Sequence, residues 1–94
     1  MSAGAFDLDR AWSLDERVAV RREPFGALLY HYGTRRLSFL KDPTVLAVVR
    51  SLAEHPSARS ACESAGVPAQ ALPAYERALA TLAGSAMIRE RGER

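Results

Sequence analysis

Residues 18–40, VAVRREPFGALLYHYGTRRLSFL, constrain the fold more than any other part of the chain. Three short β-prone runs are separated by two turn signals, and a helix start at Asp42-Pro43 follows at once. Pro24-Phe25-Gly26 interrupts the first run, because proline has no amide for a ladder and glycine admits turn geometry. Gly33-Thr34 suits a two-residue hairpin loop with glycine first, the type II′ form that matches strand twist. The pattern predicts an antiparallel meander with strands near residues 17–22, 27–32 and 35–40. Side chains alternate across a strand, so Leu37 and Phe39 share one face, and Arg36, Ser38 and Leu40 the other. Such a meander leaves two edges unpaired, and an unpaired edge is a template for a further strand.

The rest of the chain reads as helical. Asp42 is placed to cap free amides, and Pro43 fits a first helical turn. Val45, Leu46, Val48, Val49 and Leu52 follow at helical spacing, and His55-Pro56 ends the run. Ser57 caps a second helix that reaches Ala65 and stops at Gly66. Its inner face is Ala58, Ala61, Cys62 and Ala65, small residues that allow a neighbouring helix to approach closely. A third helix runs from Ala69 or Pro73 to Ala83, with Leu72, Tyr75, Leu79 and Leu82 as its apolar stripe and Gly84 as its stop. Met87-Ile88 returns to the core as a short extended tail. Residues 1–16 form an arm held down by Trp12 and Leu14, residues 17–90 the domain, and residues 91–94 a charged tail.

Charge is divided along the chain. Residues 17–41 carry five Arg and one Lys against Glu23, a net +5, while residues 1–16 are net −3 and residues 42–94 neutral. Positive charge therefore gathers on the sheet, where Arg17, Arg21, Arg22, Arg35 and Arg36 lie on or beside the strands. The whole-chain excess of +2 is small for a phosphate-binding surface. No run of eighteen apolar residues suggests a membrane span, and MSAGAFDLDR lacks the pattern of a signal peptide. A single cysteine excludes an internal disulfide. These features fit a soluble cytoplasmic chain.

Chemistry-bearing constellations are not apparent. His31 and His55 lie on different elements, and no Cys/His cluster has metal-ligand spacing. Cys62 on an alanine-lined face reads as a buried structural thiol. Gly26 and Gly33 are turn residues outside any phosphate-loop pattern. Asp7, Asp9, Asp15 and Glu16 read as dispersed, solvated acids, and His31 as a strand surface residue.

Two segments, REPFGALLYHYGTRRLSFLKDP and ACESAGV…YERALATLAGSAMI, resemble the peptide chaperones of mycofactocin biosynthesis, a family similar to the precursor-peptide recognition domain of pyrroloquinoline quinone biosynthesis. The likeness covers roughly residues 12–88. It implies an α+β, winged-helix-like fold with a three-stranded antiparallel sheet followed by three helices. It also implies a domain that binds the leader of a ribosomally made precursor peptide. Such a domain presents its peptide to a radical S-adenosylmethionine maturase, holds no cofactor or metal, and performs no chemistry.

In that family the leader lies between the third strand and the third helix. Carried onto this chain, the peptide-binding residues are Arg35, Arg36, Leu37, Ser38, Phe39 and Leu40 on the strand and Tyr75, Leu79 and Leu82 on the helix. Leu37 and Phe39, or their neighbours on the opposite face, floor the groove, and Tyr75 and Leu79 form its wall. Ser38 is expected to turn its amide outward to the guest backbone. Arg35 and Arg36 would draw in acidic leader residues. Taken singly, Leu37, Phe39, Leu79 and Leu82 read as ordinary core, and Tyr75 as a residue of a wet rim. Two other classes compete. A DNA-binding winged helix would use Arg77, but Glu76 neutralises it. A small enzyme or enzyme subunit would use His31 with Tyr30 or Tyr32 as acid–base groups.

Overall fold

Alternating apolar and polar residues, two tight turns and a proline-led helix build most of the architecture, seen here in a computed structural model that describes residues 6–92. Residues 1–5 and 93–94, the ends of the expected arm and tail, lie outside the described residues. The elements are β1 (Trp12–Leu14), β2 (Val18–Glu23), β3 (Gly26–His31), β4 (Leu37–Leu40), α1 (Pro43–Ser51), α2 (Ala58–Ser64), α3 (Leu72–Gly84) and β5 (Ile88–Glu90). One 3-10 turn, Leu52–Glu54, prolongs α1, and another, Ala69–Ala71, leads into α3. The fold is α+β: the meander β2-β3-β4 and three helices are as expected, and a second sheet pairs β1 with β5.

The meander is antiparallel throughout, with Val20 opposite Leu29 and Leu29 opposite Ser38. Its inner face carries Ala27, Leu29 and His31 from β3 and the half-buried Val18, Val20 and Leu40 from the flanking strands. The β2–β3 turn is two residues long, Pro24-Phe25. It requires glycine at position 26, where φ is +153° and an added Cβ would stand 2.1 Å from the Leu40 carbonyl oxygen.

The β3–β4 connection differs from the expected two-residue turn. The His31 amide donates to the Arg36 carbonyl and the Arg35 amide to the His31 carbonyl, which leaves a four-residue loop, 32–35. The left-handed residue is Arg35 (φ 67°), not Gly33. The reason lies in His31. Its Nδ1 accepts the amides of Gly33 (2.9 Å) and Thr34 (3.0 Å), and this winds the loop past the point where a tight turn would close.

All five apolar positions read into α1 and its extension are buried. Asp42 caps α1 by accepting the Thr44 amide at 2.8 Å, and Ser57 caps α2 by accepting that of Ser60 at 3.0 Å. Ala58, Ala61 and Cys62 are fully enclosed, but Ala65 is exposed, because α2 ends at Ser64 and Gly66 takes a left-handed φ of 86° just beyond. Gly84 remains helical, and the chain turns instead at Ala86, with φ 63°. That turn sends Met87 and Ile88 into the core, both buried.

The described part of the arm is built into the same core. Leu8 and Trp12 are buried, Trp12 packs on Phe6 with ring centroids 4.7 Å apart, and its indole nitrogen donates to the Asp7 carbonyl. The carbonyls of Arg10 and Leu8 receive the first amides of α2, those of Ala58 and Arg59. Arg91, read as tail, donates through Nε to the Trp12 carbonyl and through its terminal nitrogens to those of Leu52, Ala53 and His55. It thereby satisfies carbonyls that the end of a helix leaves unpaired.

Candidate functional site

β4 is an edge strand, hydrogen-bonded to β3 alone among the described residues. The His31–Arg36 bond fixes which of its amides are free. Hydrogen-bonded and non-bonded pairs alternate along an antiparallel ladder, so Ser38 and Leu40 pair inward with Leu29 and Ala27. Leu37 and Phe39 therefore turn their amides and carbonyls to the open side. The outward amide expected at Ser38 belongs instead to its neighbours, because the four-residue loop makes His31 and Arg36 the closing hydrogen-bonded pair and so shifts the bonding phase of the ladder by one residue.

Beside this edge lies a shallow groove of about 230 Å³, lined by Phe39, Leu40, Lys41 and Asp42 on one side, Val45 below and Ala78 of α3 opposite. The place between third meander strand and third helix is thus a real depression, mostly apolar and short of polar partners. Tyr75 is tied to one of the lining residues, its hydroxyl donating to Asp42 Oδ2 at 3.2 Å. Burial raises the Tyr75 hydroxyl above its ordinary pKa, and the neighbouring Asp42 carboxylate adds to the effect.

The residues expected to bind peptide divide into two groups. Leu37 (64% exposed) and Phe39 (48% exposed) stand on the outer face of the sheet, where Phe39 opposes Leu28 and Leu37 opposes Tyr30. They are not core, as each read singly. Ser38 and Leu40 point inward and are half-buried. Leu79 and Leu82 are core, with Leu79 fully enclosed, and neither lines the groove. Ala78, one residue earlier on α3, takes the wall position. Its signal in the sequence was only its spacing beside the Leu72–Tyr75–Leu79 stripe.

Electrostatics around the loop end of β4 are cationic. Arg35 and Arg36 are exposed and form no ion pair among the described residues, while Arg21 is held by Glu23 at 2.6 Å. Arg17 donates through Nε and Nη2 to Asp15, at 3.1 and 3.2 Å. Asp15 is buried, which corrects its reading as a solvated acid, as the arm folds back at Asp15 to meet Met87. The Arg17 guanidinium holds its carboxyl down to about 2, against the opposing effect of burial.

His31 is likewise fully enclosed and not a surface residue, because residue 31 falls on the inner face of β3. With Nδ1 accepting two amides, the ring carries its proton on Nε2, which has no hydrogen-bond partner and lies 3.7 Å from Asp15 Oδ2. Tyr30 and Tyr32 stand away from it on the outer face, edge to face with centroids 5.5 Å apart. The proposed acid–base grouping is therefore split across the sheet. The Cys62 thiol is buried as read, and burial raises its pKa. Arg77 is exposed beside an exposed Glu76. Among the described residues no cluster of three His, Cys, Asp or Glu gathers to hold a metal. No helix among them is long and apolar enough to cross a membrane.

Comparison with known proteins agrees with the resemblance carried by REPFGALLYHYGTRRLSFLKDP. The chain is 65% identical over 86 residues to Peptide chaperone MftB of Mycobacterium ulcerans (strain Agy99), spanning 92% of this chain and 79% of the relative. It is 60% identical over 83 residues to Peptide chaperone MftB of Mycobacterium tuberculosis (strain ATCC 25618 / H37Rv), spanning 88% and 76%. It is 58% identical over 83 residues to Peptide chaperone MftB of Mycolicibacterium smegmatis, spanning 88% and 81%. No solved structure matches. The sequence profile described as the Peptide chaperone MftB family matches residues 11–89, nearly the whole described chain, and the protein belongs to that family.

Proposed function

We propose that this chain is a non-catalytic, cytoplasmic peptide chaperone of mycofactocin biosynthesis. It takes the leader of a ribosomally made precursor peptide as an added strand on β4 and delivers it to a radical S-adenosylmethionine maturase. The observation that carries this reading is the free edge of β4 beside the apolar groove that faces Ala78 and Val45. An extended guest on that edge would pair with the outward amides and carbonyls of Leu37 and Phe39. Alternate guest side chains would enter the groove, and the others would join the outer face beside Leu37 and Phe39. Tyr75 and Leu40 would meet the guest at the groove, while Leu79 and Leu82 stay in the core. The relatives' names supply the cargo class, a peptide.

Arg35 and Arg36, exposed and without ion-pair partners among the described residues, would steer acidic leader residues to the loop end of the strand. Calorimetric titration of precursor peptide into Arg35→Glu/Arg36→Glu tests this. Affinity should fall about tenfold at low salt, and the gap from wild type should narrow as salt screens it. Equal affinities at low salt would remove the two arginines from the site.

A further inference from the structure

The sheet has a second face that the groove meets only at Phe39. Ala19, Leu28, Tyr30, Tyr32, Leu37 and Phe39 point away from the helices, by register and by exposure. Three of them rank among the large apolar side chains most open to solvent, with Phe25 at the nearby hairpin tip. Between the two tyrosines, Leu28 and Leu37 lies a cup of about 380 Å³ with Ala19 as its floor and Arg21 at its rim. An antiparallel sheet tolerates one wet face, but that face is ordinarily polar. An apolar, tyrosine-bearing face with a concave centre is the composition of a protein–protein interface core.

Charge decides between occupants. Glu23 is the only acid in residues 17–41, and Arg21 already holds it at 2.6 Å. A second copy docked through the same sheet face would therefore bring no free carboxylate from its own sheet to meet Arg35, exposed in the adjoining loop. A cup that accepts a protruding side chain suits a folded protein better than a lipid surface, which would be met by protruding residues. We infer that the outer face of β2-β3-β4 docks a folded partner with a projecting apolar residue at its centre and acidic residues around it. Resting on the proposed function, that partner is the maturase. The guest strand on β4 would widen this same face, because every second guest side chain emerges beside Leu37 and Phe39. The maturase would then read chaperone and cargo together, and would bind the loaded chaperone more tightly than the empty one.

Ala19→Glu/Tyr32→Ser tests the surface, since both positions are on this face and neither is on β4. Binding of the variant and the wild-type chain is measured against purified mycofactocin maturase, with and without precursor peptide, and against precursor peptide alone. Expected are an affinity for maturase at least tenfold weaker, an affinity for peptide within twofold of wild type, and an unchanged thermal midpoint. Peptide should strengthen wild-type binding to maturase several-fold. Unchanged maturase affinity in the variant, with peptide binding intact, overturns the surface and leaves the proposed function standing. Failure of the wild-type chain to bind peptide sinks the proposed function instead. The inference is also overturned if the wild-type chain sediments as a dimer that the variant dissolves, or if it binds phosphatidylcholine–phosphatidylglycerol vesicles through this face.

Discussion

A single buried ring shapes the loop end of β4. His31 accepts two loop amides through Nδ1, and the wider loop it enforces puts Arg35 in the left-handed region, an uncommon place for a residue with a Cβ. The same position is exposed and cationic. Arg35→Gly should therefore raise stability by about 1 kcal/mol in urea unfolding while weakening peptide binding, since it relieves the backbone and removes the charge together. A variant that is less stable, or one that binds as tightly as wild type, would contradict this.

Asp15 gives the residue scale its pH dependence. Its folded pKa is depressed from 3.8 to about 2, chiefly by the hydrogen bond from Arg17. A depressed carboxylate contributes stability that is fully present above its unfolded pKa and is lost as pH falls through its folded value. Stability should thus drop between about pH 4 and pH 2. The Arg17→Leu variant should lose part of that slope, because removing the guanidinium returns the folded pKa toward 3.8. Urea unfolding across this window checks it, and identical slopes would assign the acid response elsewhere. Neither buried role was legible in the sequence. Asp15 and His31 look polar and therefore exposed, and only the register of β3 and the fold-back of the arm bring them under cover.

At the scale of elements, what is local was readable and what depends on pairing was not. Asp42-Pro43 and Ser57 carry their capping chemistry in their own side chains, and the α1 spacing reports its buried stripe directly. Which β4 amides face outward depends on where the loop closes, and only the His31 bonds determine that, so the outward amides were misplaced by one residue. Ala78 was missed as the groove wall for a related reason. The face of α3 that meets β4 lies beside its apolar stripe, and a small residue gives no periodic signal. The corrected hydrogen-bonding phase yields a test within one position. Leu37→Pro removes an outward amide and the side chain, and Leu37→Ala removes the side chain alone. Pairing through the free edge predicts peptide binding about tenfold weaker for proline than for alanine, of the order of one lost hydrogen bond. Equal losses would place the guest backbone elsewhere.

Across the whole molecule, the described residues at both ends of the chain pack into the same fold. β1 pairs with β5, the carbonyls of Leu8 and Arg10 receive the first amides of α2, and Arg91 ties the Trp12 backbone to the carbonyls that end α1 and its extension. These contacts span most of the chain length and leave no local trace, which is why the second sheet was not foreseen. They fasten both described ends of the chain to the helices behind the meander. Under the proposed function, cargo on the open edge of β4 and a partner on the outer face would be held at once.

The most direct test of strand addition is an amide-resolved NMR titration of the labelled chain with unlabelled precursor peptide. The account predicts that the amides of Leu37 and Phe39 shift most and gain protection from exchange. Ala78 and Tyr75 should move with them, while β1, β5 and the Arg91 contacts stay still. Saturable binding that leaves residues 37–40 and α3 unperturbed would contradict it.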